Sequence, residues 1–447
     1  MMSPGYPTSN VFYRRLSEEM YTAVRGEGIY LYDQYGNEFL DGSGGALVVN
    51  VGHGVSEIAD AMARQAKKLA YVNGLHFTNE PVEELAREVA AFTPEGLDHV
   101  YFLSSGSAAT EAAIKLARQY WCEAGRDKKY KVIARQPGYH GNTLAALSVS
   151  GRPSSREKFE PLLQDFAFIP APMEYRCPEN ISFEEFGDQC ASRLDDAIEA
   201  EGPDLVAAFI AEPVIGASAG GVVAPPGYFS KIRDICDHHD VLFIADEVLT
   251  GMGRTGKWLA IDHEKVTPDI LTLGKGLSGG YAPLSALVVR SEIVETIAKG
   301  SGAFSYNQTF SHAPLPAAAG LATIRYLKDH DLVARSEQMG DYFHEQLQSL
   351  RTSEIVGDVR GLGLLAGVEY VVNRDTKEPF PPELEIAERI RKAAFDERLI
   401  IWATTRYLPS NNGDLSVLGP PFIITKVQVD ELVTRMRSAI DAIEASL

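Results

Sequence analysis

The chain has 447 residues, more than an ordinary single domain of ~100–200, and its composition (45% hydrophobic, 23% charged, 39 Gly, 24 Pro) is that of a globular protein rather than a disordered or collagenous one. Lys and Arg total 42 against 61 Asp and Glu, so a net charge of -19 excludes bulk nucleic-acid binding and attraction to anionic lipid as its main business. The longest uninterrupted apolar run, 205–211, falls far short of the ~18–20 residues of a membrane span, and the N-terminus shows no basic start followed by an apolar stretch, so a soluble protein with a cytoplasmic address is expected.

In chain order, residues 1–57 are read as an N-terminal segment of a small domain, with a hairpin in YLYDQYGNEFLDG around the turn residues Tyr35-Gly36-Asn37. Residues 58–315 form the large domain, where the apolar runs VYFLSS, KVIAR, LVAAFIAEP, VLFIADEV, ILTLGKG and SALVV alternate with helical stretches. Such runs, separated by crossovers, predict an α/β fold with a mainly parallel sheet covered on both faces. Ala109, Ala113, Leu116 and Tyr120 recur at helical spacing and predict a helix over 109–122, starting from the turn Ser105-Gly106-Ser107. Residues 316–447 are read as the C-terminal part of a smaller α+β domain, with helices over 315–326 and 332–350, a strand in GLLAGVEYV, a loop over 409–413 and a last helix after Asp430. Both chain ends are expected to pack there. Cys122, Cys177, Cys190 and Cys236 are too scattered for a disulfide framework or a CxxC site, and adjacent His238 and His239 diverge, so no metal site is expected.

Three motifs carry chemistry. Ser105-Gly106-Ser107 sits at a strand-to-helix turn, where free backbone N–H groups welcome a phosphate, although Ser-Gly-Ser also serves as an ordinary helix cap. Gly251-Met252-Gly253-Arg254-Thr255-Gly256 matches GxGxxG, yet it lies four residues beyond the end of VLFIAD and lacks the later acidic residue of a dinucleotide site. Asp246, at the end of its strand, precedes by 29 residues Lys275, which is flanked by glycines in Leu273-Gly274-Lys275-Gly276. An accessible lysine able to form an imine, a buried carboxylate able to hold a proton on a ring nitrogen and an anion-binding turn make up pyridoxal phosphate chemistry.

The order SSGS, PGYHG, AEP, ADEVLTGMGRTG, LGKGLSGGYAPLSA and NQTF, from YDQYGNEFLDGSGG near the start to PPFIIT near the end, resembles the class III aminotransferases of the fold-type-I pyridoxal phosphate enzymes. The resemblance implies a seven-stranded-type large-domain sheet and a homodimer with shared active sites. It implies a reaction that moves an amino group from an amine or amino acid to a keto acid, pyruvate or 2-oxoglutarate, in ping-pong half-reactions. A racemase or decarboxylase on the same scaffold is the alternative, because returning the proton to a different carbon needs few residue changes. By the same resemblance Lys275 is the Schiff-base lysine and proton shuttle, and Asp246 the partner of the ring nitrogen. Gly106 and Ser107 match the phosphate turn, Thr309 a phosphate contact from the partner subunit, Tyr139 and Val248 the two ring faces, and His140 and Glu212 further cofactor contacts. The ornithine and γ-aminobutyrate enzymes pair that glutamate with an arginine where this chain has Val417, which argues against both activities. Arg406 is the expected carboxylate clamp, with a solvated loop arginine as its other reading, and Leu47 stands where related enzymes often carry tryptophan, implying a roomier pocket.

Overall fold

The structure, a computed structural model, describes residues 9–447; the first eight residues, within the N-terminal segment expected in the small domain and without a signal-like pattern, lie outside them. Its centre is a seven-stranded sheet in the order Leu97–Leu103, Ser285–Arg290, Ile270–Leu273, Leu242–Glu247, Val206–Ala211, Lys131–Gln136, Phe168–Pro170. From Ile270–Leu273 to Phe168–Pro170 all neighbours pair in parallel, while Ser285–Arg290 is antiparallel to both of its neighbours. Val206–Ala211, Leu242–Glu247 and Ile270–Leu273 are buried along their whole length, which is why they read as continuous apolar runs rather than alternating ones.

Successive residues of these strands serve opposite faces. Ile244 and Ile210 join the core beneath the helix Gly106–Glu123, whereas Phe243 and Phe209 join the core with Leu194 and Ile198 of Phe183–Glu201 and Ile232 of Tyr228–His238. The helix expected over 109–122 begins earlier, at Gly106, because the Ser105 hydroxyl accepts a bond from the Ala108 N–H at 3.2 Å and caps it.

The expected hairpin is present: Tyr30–Asp33 pairs antiparallel with Glu38–Asp41, and Asp33 Oδ1 accepts the Tyr35 and Asn37 N–H groups at 2.9 Å each. Leu399 and Ile400 then pair in parallel with Leu40 and Asp41, which ties the last third of the chain to its start. An antiparallel sheet of Val356–Leu362, Leu365–Asn373, Asp414–Leu418 and Trp402–Thr405 completes that end of the molecule. The final helix is Lys426–Glu444 rather than a helix starting after Asp430, because Thr425 and Gln428 form a capping box that nucleates it a turn sooner. The GxGxxG segment is a run of turns that leads into a short 3-10 helix, Ala260–His263, with no α-helix N-terminus to face a pyrophosphate. No helix among the described residues is long and apolar enough to cross a membrane.

Candidate active site

Parallel strands deliver their C-terminal ends to one edge of the sheet, and open α/β sheets collect ligands there. Asp246 is the penultimate residue of Leu242–Glu247, Lys275 follows Ile270–Leu273, and Glu212 follows Val206–Ala211. All three line one cavity of about 170 Å³ together with Gly106, Ser107, Tyr139, His140 and Val248. Sequence positions 106 to 275 thus converge on one hollow.

Asp246 is 3% exposed, and each of its oxygens is held. Oδ2 lies 2.6 Å from His140 Nδ1; Oδ1 accepts the Val248 N–H at 3.0 Å and the Thr272 hydroxyl at 3.1 Å. The backbone of His140 is itself anchored, its N–H donating to Ser150 Oγ at 2.9 Å and its carbonyl accepting from Thr110 Oγ1 at 2.9 Å. Burying a carboxyl group costs least when its oxygens find such donors. Thr272, Ser150 and Thr110 escaped sequence reasoning. The signal for Thr272 was available, since it is the one polar residue in the fully buried strand ILTL.

Lys275 sits at φ +42° in a single 3-10 turn, Lys275–Leu277, braced by Asn50, whose Nδ2 donates to the Gly276 carbonyl at 3.1 Å. Burial pulls its amine below the usual lysine range, against the opposing pull of the Glu212 and Asp246 charges. Glu212 is buried and pushed upward by that burial; its two oxygens accept the Tyr139 N–H at 3.0 Å and the Gly216 N–H at 2.9 Å. Its partners are therefore backbone amides. Val417, the position of an arginine in the ornithine and γ-aminobutyrate enzymes, is fully buried in an apolar cluster with Leu47 and Leu249.

Two glycines are required by close approach. A Cβ on Gly106 would stand 2.6 Å from Val248 Cγ1, and one on Gly141, at φ +139°, would stand 2.5 Å from Ser107 Oγ. The Ser107 hydroxyl accepts the Asn142 N–H at 3.0 Å, which locks the helix start against the loop that carries Tyr139 and His140.

The remaining expected site residues lie apart. Thr309 is exposed beside a separate cavity of about 550 Å³ lined by Tyr71, Leu75 and Tyr101 among others. Arg406 does not line the central cavity; its guanidinium pairs with Glu157 at 3.3 Å. Leu47 reaches the cavity only through the cluster it shares with Leu249, which lines it.

A family model described as Aminotransferase class-III matches residues 12–440. The uncharacterized aminotransferase YodT of Bacillus subtilis is 40% identical over 422 residues, covering 94% of this chain and 95% of that protein. The putrescine–pyruvate aminotransferase of Pseudomonas aeruginosa is 37% identical, with 97% and 94% covered. A crystal structure of the omega transaminase from Pseudomonas jessenii in complex with PMP superimposes with a TM-score of 0.89 at 32% identity, covering 95% of this chain and 93% of that one. A strand-edge lysine and carboxylate in one hollow, and likeness along nearly the whole chain, lead to one conclusion: this protein belongs to the class III aminotransferases and is a transaminase.

Proposed function

We propose that this chain is a pyridoxal-phosphate-dependent transaminase that takes an amino group from an amine or amino acid and delivers it to a keto acid, pyruvate or 2-oxoglutarate, in two half-reactions. The single observation that carries the reading is the shared cavity: the Lys275 amine, the Asp246 carboxylate and the N-terminus of Gly106–Glu123 all face it. The donor set fits the cofactor. An amine lowered by burial suits imine formation, a carboxylate held by three donors suits a protonated ring nitrogen, and the first amides of an 18-residue helix suit a phosphate. When bound, pyridoxal phosphate supplies a carbonyl for amines and a ring that withdraws electrons from the substrate carbon.

The chain's own residues supply the rest. Lys275 would anchor the cofactor and, as a free amine, move a proton at the substrate's α-carbon; its lowered basicity keeps the amine available as a base. Asp246 would hold a proton on the ring nitrogen, and His140 keeps that side chain oriented. Gly106 and Ser107, which line the cavity at the helix start, would offer N–H groups to the phosphate, and Tyr139 and Val248, which line it too, would give the ring an aromatic and an aliphatic neighbour. Glu212, satisfied by backbone amides, shapes the substrate side of the cavity, and Leu47 backs it through Leu249. Thr309 completes the phosphate site of a second copy. In support, it lies in a segment beside exposed Tyr71, Leu75, Phe77 and Phe310, an apolar patch suited to burial in a homodimer.

The test is a half-reaction screen. Protein loaded with pyridoxal phosphate is mixed with amines, including putrescine, and with α- and ω-amino acids, and pyridoxamine phosphate is quantified by chromatography. Stoichiometric formation with one donor class supports transfer and identifies the donor. Absence of pyridoxamine phosphate with every donor overturns the proposal.

A further inference from the structure

The GxGxxG segment, residues 251–256, has no role in the site described so far, yet it abuts the turn that carries Lys275. Two left-handed backbone positions meet there, Met252 at φ +61° and Lys275 at φ +42°, and neither is a glycine. Such conformations are strained for a residue with a Cβ and persist where neighbours hold them. The Asn50 side chain spans both. Its Nδ2 donates to the Gly276 carbonyl at 3.1 Å and to the Met252 carbonyl at 3.3 Å. The approach is close enough that a Cβ on Gly276 would stand 2.8 Å from that nitrogen.

Asn50 is 2% exposed, and its Oδ1 has no hydrogen-bond partner among the described residues. An unpaired buried acceptor is costly, so an apolar side chain would fill the same space at less expense; what the amide adds is its pair of N–H groups on two carbonyls. Both ends of this strap are fixed. On the near side the Asn50 carbonyl accepts the Phe422 N–H at 2.8 Å. On the far side the Met252 N–H donates to the Trp258 carbonyl at 2.8 Å, and the buried Arg254 guanidinium donates to the carbonyls of Leu364 at 2.9 Å and Pro420 at 2.7 Å. The lysine turn is weaker. It is a single 3-10 turn closed by the Leu277 N–H on the Gly274 carbonyl at 2.9 Å, the Ser278 N–H on that of Lys275 at 3.3 Å and the Gly279 N–H on that of Gly276 at 3.2 Å. Bonds in such turns are poorly aligned, so the direction of Lys275 depends on what the turn is tied to.

We propose that Asn50 is a positioning residue for Lys275: its amide straps the lysine turn to the anchored 251–256 segment and thereby keeps the amine directed into the cavity. This rests on the transaminase reading above, which makes Lys275 the group that bonds the cofactor. The test compares the unaltered chain with Asn50→Asp, which keeps the side chain's shape but offers at most one donor in place of two, and with Asn50→Ser, which is too short to reach both carbonyls. Each protein is saturated with pyridoxal phosphate, total bound cofactor is measured by equilibrium dialysis, and the share that borohydride fixes on the peptide containing residue 275 is measured by mass spectrometry. Asn50→Asp is expected to lower the fixed share by about twofold or more and kcat by about tenfold or more, with the donor KM little changed, because a displacement of about 1 Å at a reacting group costs up to ~10²-fold in rate. Asn50→Ser behaves the same way and carries the test if Asn50→Asp does not fold, as judged by melting temperature. An unchanged fixed share in the folded variants overturns the assignment, whatever happens to stability. A rise in donor KM at unchanged kcat also overturns it, by placing Asn50 on the substrate side. If neither variant folds, Asn50 serves the fold rather than the lysine, and the assignment falls. Failure of the transaminase reading is distinguishable: it shows in the unaltered chain as no cofactor fixed at residue 275 and no pyridoxamine phosphate from any donor, whereas failure of the Asn50 assignment shows only in the variants.

Discussion

The floor of the cavity and its rim are built on different principles. The floor residues Asp246, Thr272, Lys275 and Glu212 sit at or beside the ends of three adjacent, fully buried parallel strands, and the Asp246 and Glu212 carboxylates are held by short hydrogen bonds to neighbours around the cavity. The arginines outside it come from irregular segments: Arg14 lies over the Trp402 ring, Arg152 donates to the Thr405 carbonyl and Arg406 pairs with Glu157. Groups that move protons need positions fixed within a fraction of an ångström, which strands inside a packed core provide. Groups that choose among substrates sit on segments that can change without disturbing the core. The comparison separates a floor fixed by the packed core from surrounding segments that the core does not constrain.

The largest effect should come from the floor. Lys275→Ala is expected to lower kcat by roughly 10²–10⁴-fold or more, the contribution of a positioned proton-transfer group, while the melting temperature stays within a few degrees. Borohydride reduction should no longer fix pyridoxal phosphate on the peptide containing residue 275; if it still does, another lysine holds the cofactor. Asp246→Asn comes next, with about a 10²-fold loss or more in the half-reaction, because a neutral amide cannot hold the ring nitrogen's proton. His140→Gln should reproduce part of that loss with unchanged donor KM; a KM effect alone would move His140 from Asp246's support to the substrate side.

Thr309 tests whether the floor is complete in one chain. Thr309→Ala is expected to weaken pyridoxal phosphate retention about tenfold, by loss of a hydrogen bond to a charged phosphate, without altering kcat at saturating cofactor. Unchanged affinity would leave the phosphate site to Gly106 and Ser107 of the same chain.

The smallest effect concerns stability. Glu247, next to Asp246 but turned to the Thr250 hydroxyl and the Ile261 N–H, is 1% exposed, and burial pushes its carboxyl up to about 7. The folded protein therefore binds this proton more tightly than the unfolded chain does. Its contribution is fully present below about pH 4.5, the unfolded value, and is lost as pH rises to about 7. Glu247→Gln should flatten the fall in stability across that window in urea titrations. An unchanged slope would assign the pH dependence to other groups, such as Asp414, also pushed up, to about 6.

Much of the floor was legible in the chain because its signals are local. Continuous apolar runs announced the buried strands, and Asp246 and Lys275 each end such a run, so their placement followed from the rule that ligands gather at strand ends. The early starts of Gly106–Glu123 and Lys426–Glu444 were also written locally, in the capping residues Ser105 and Thr425, which periodicity alone passes over.

The bonds that complete the site were not legible. That His140 would meet Asp246, that Glu212 would be satisfied by the amides of Tyr139 and Gly216, and that Gly106 must lack a side chain to admit Val248 depend on separations of many residues in sequence. Arg406 illustrates the limit most plainly: its type suits a carboxylate, and the fold gives it Glu157. By itself the sequence determined the layered α/β plan and the placement of Asp246 and Lys275 at strand ends, because period, caps and strand-end chemistry act over a few residues. Only the tertiary structure decided which charges are paired and which face the cavity, because a charge's partner is set by packing between elements far apart in the chain.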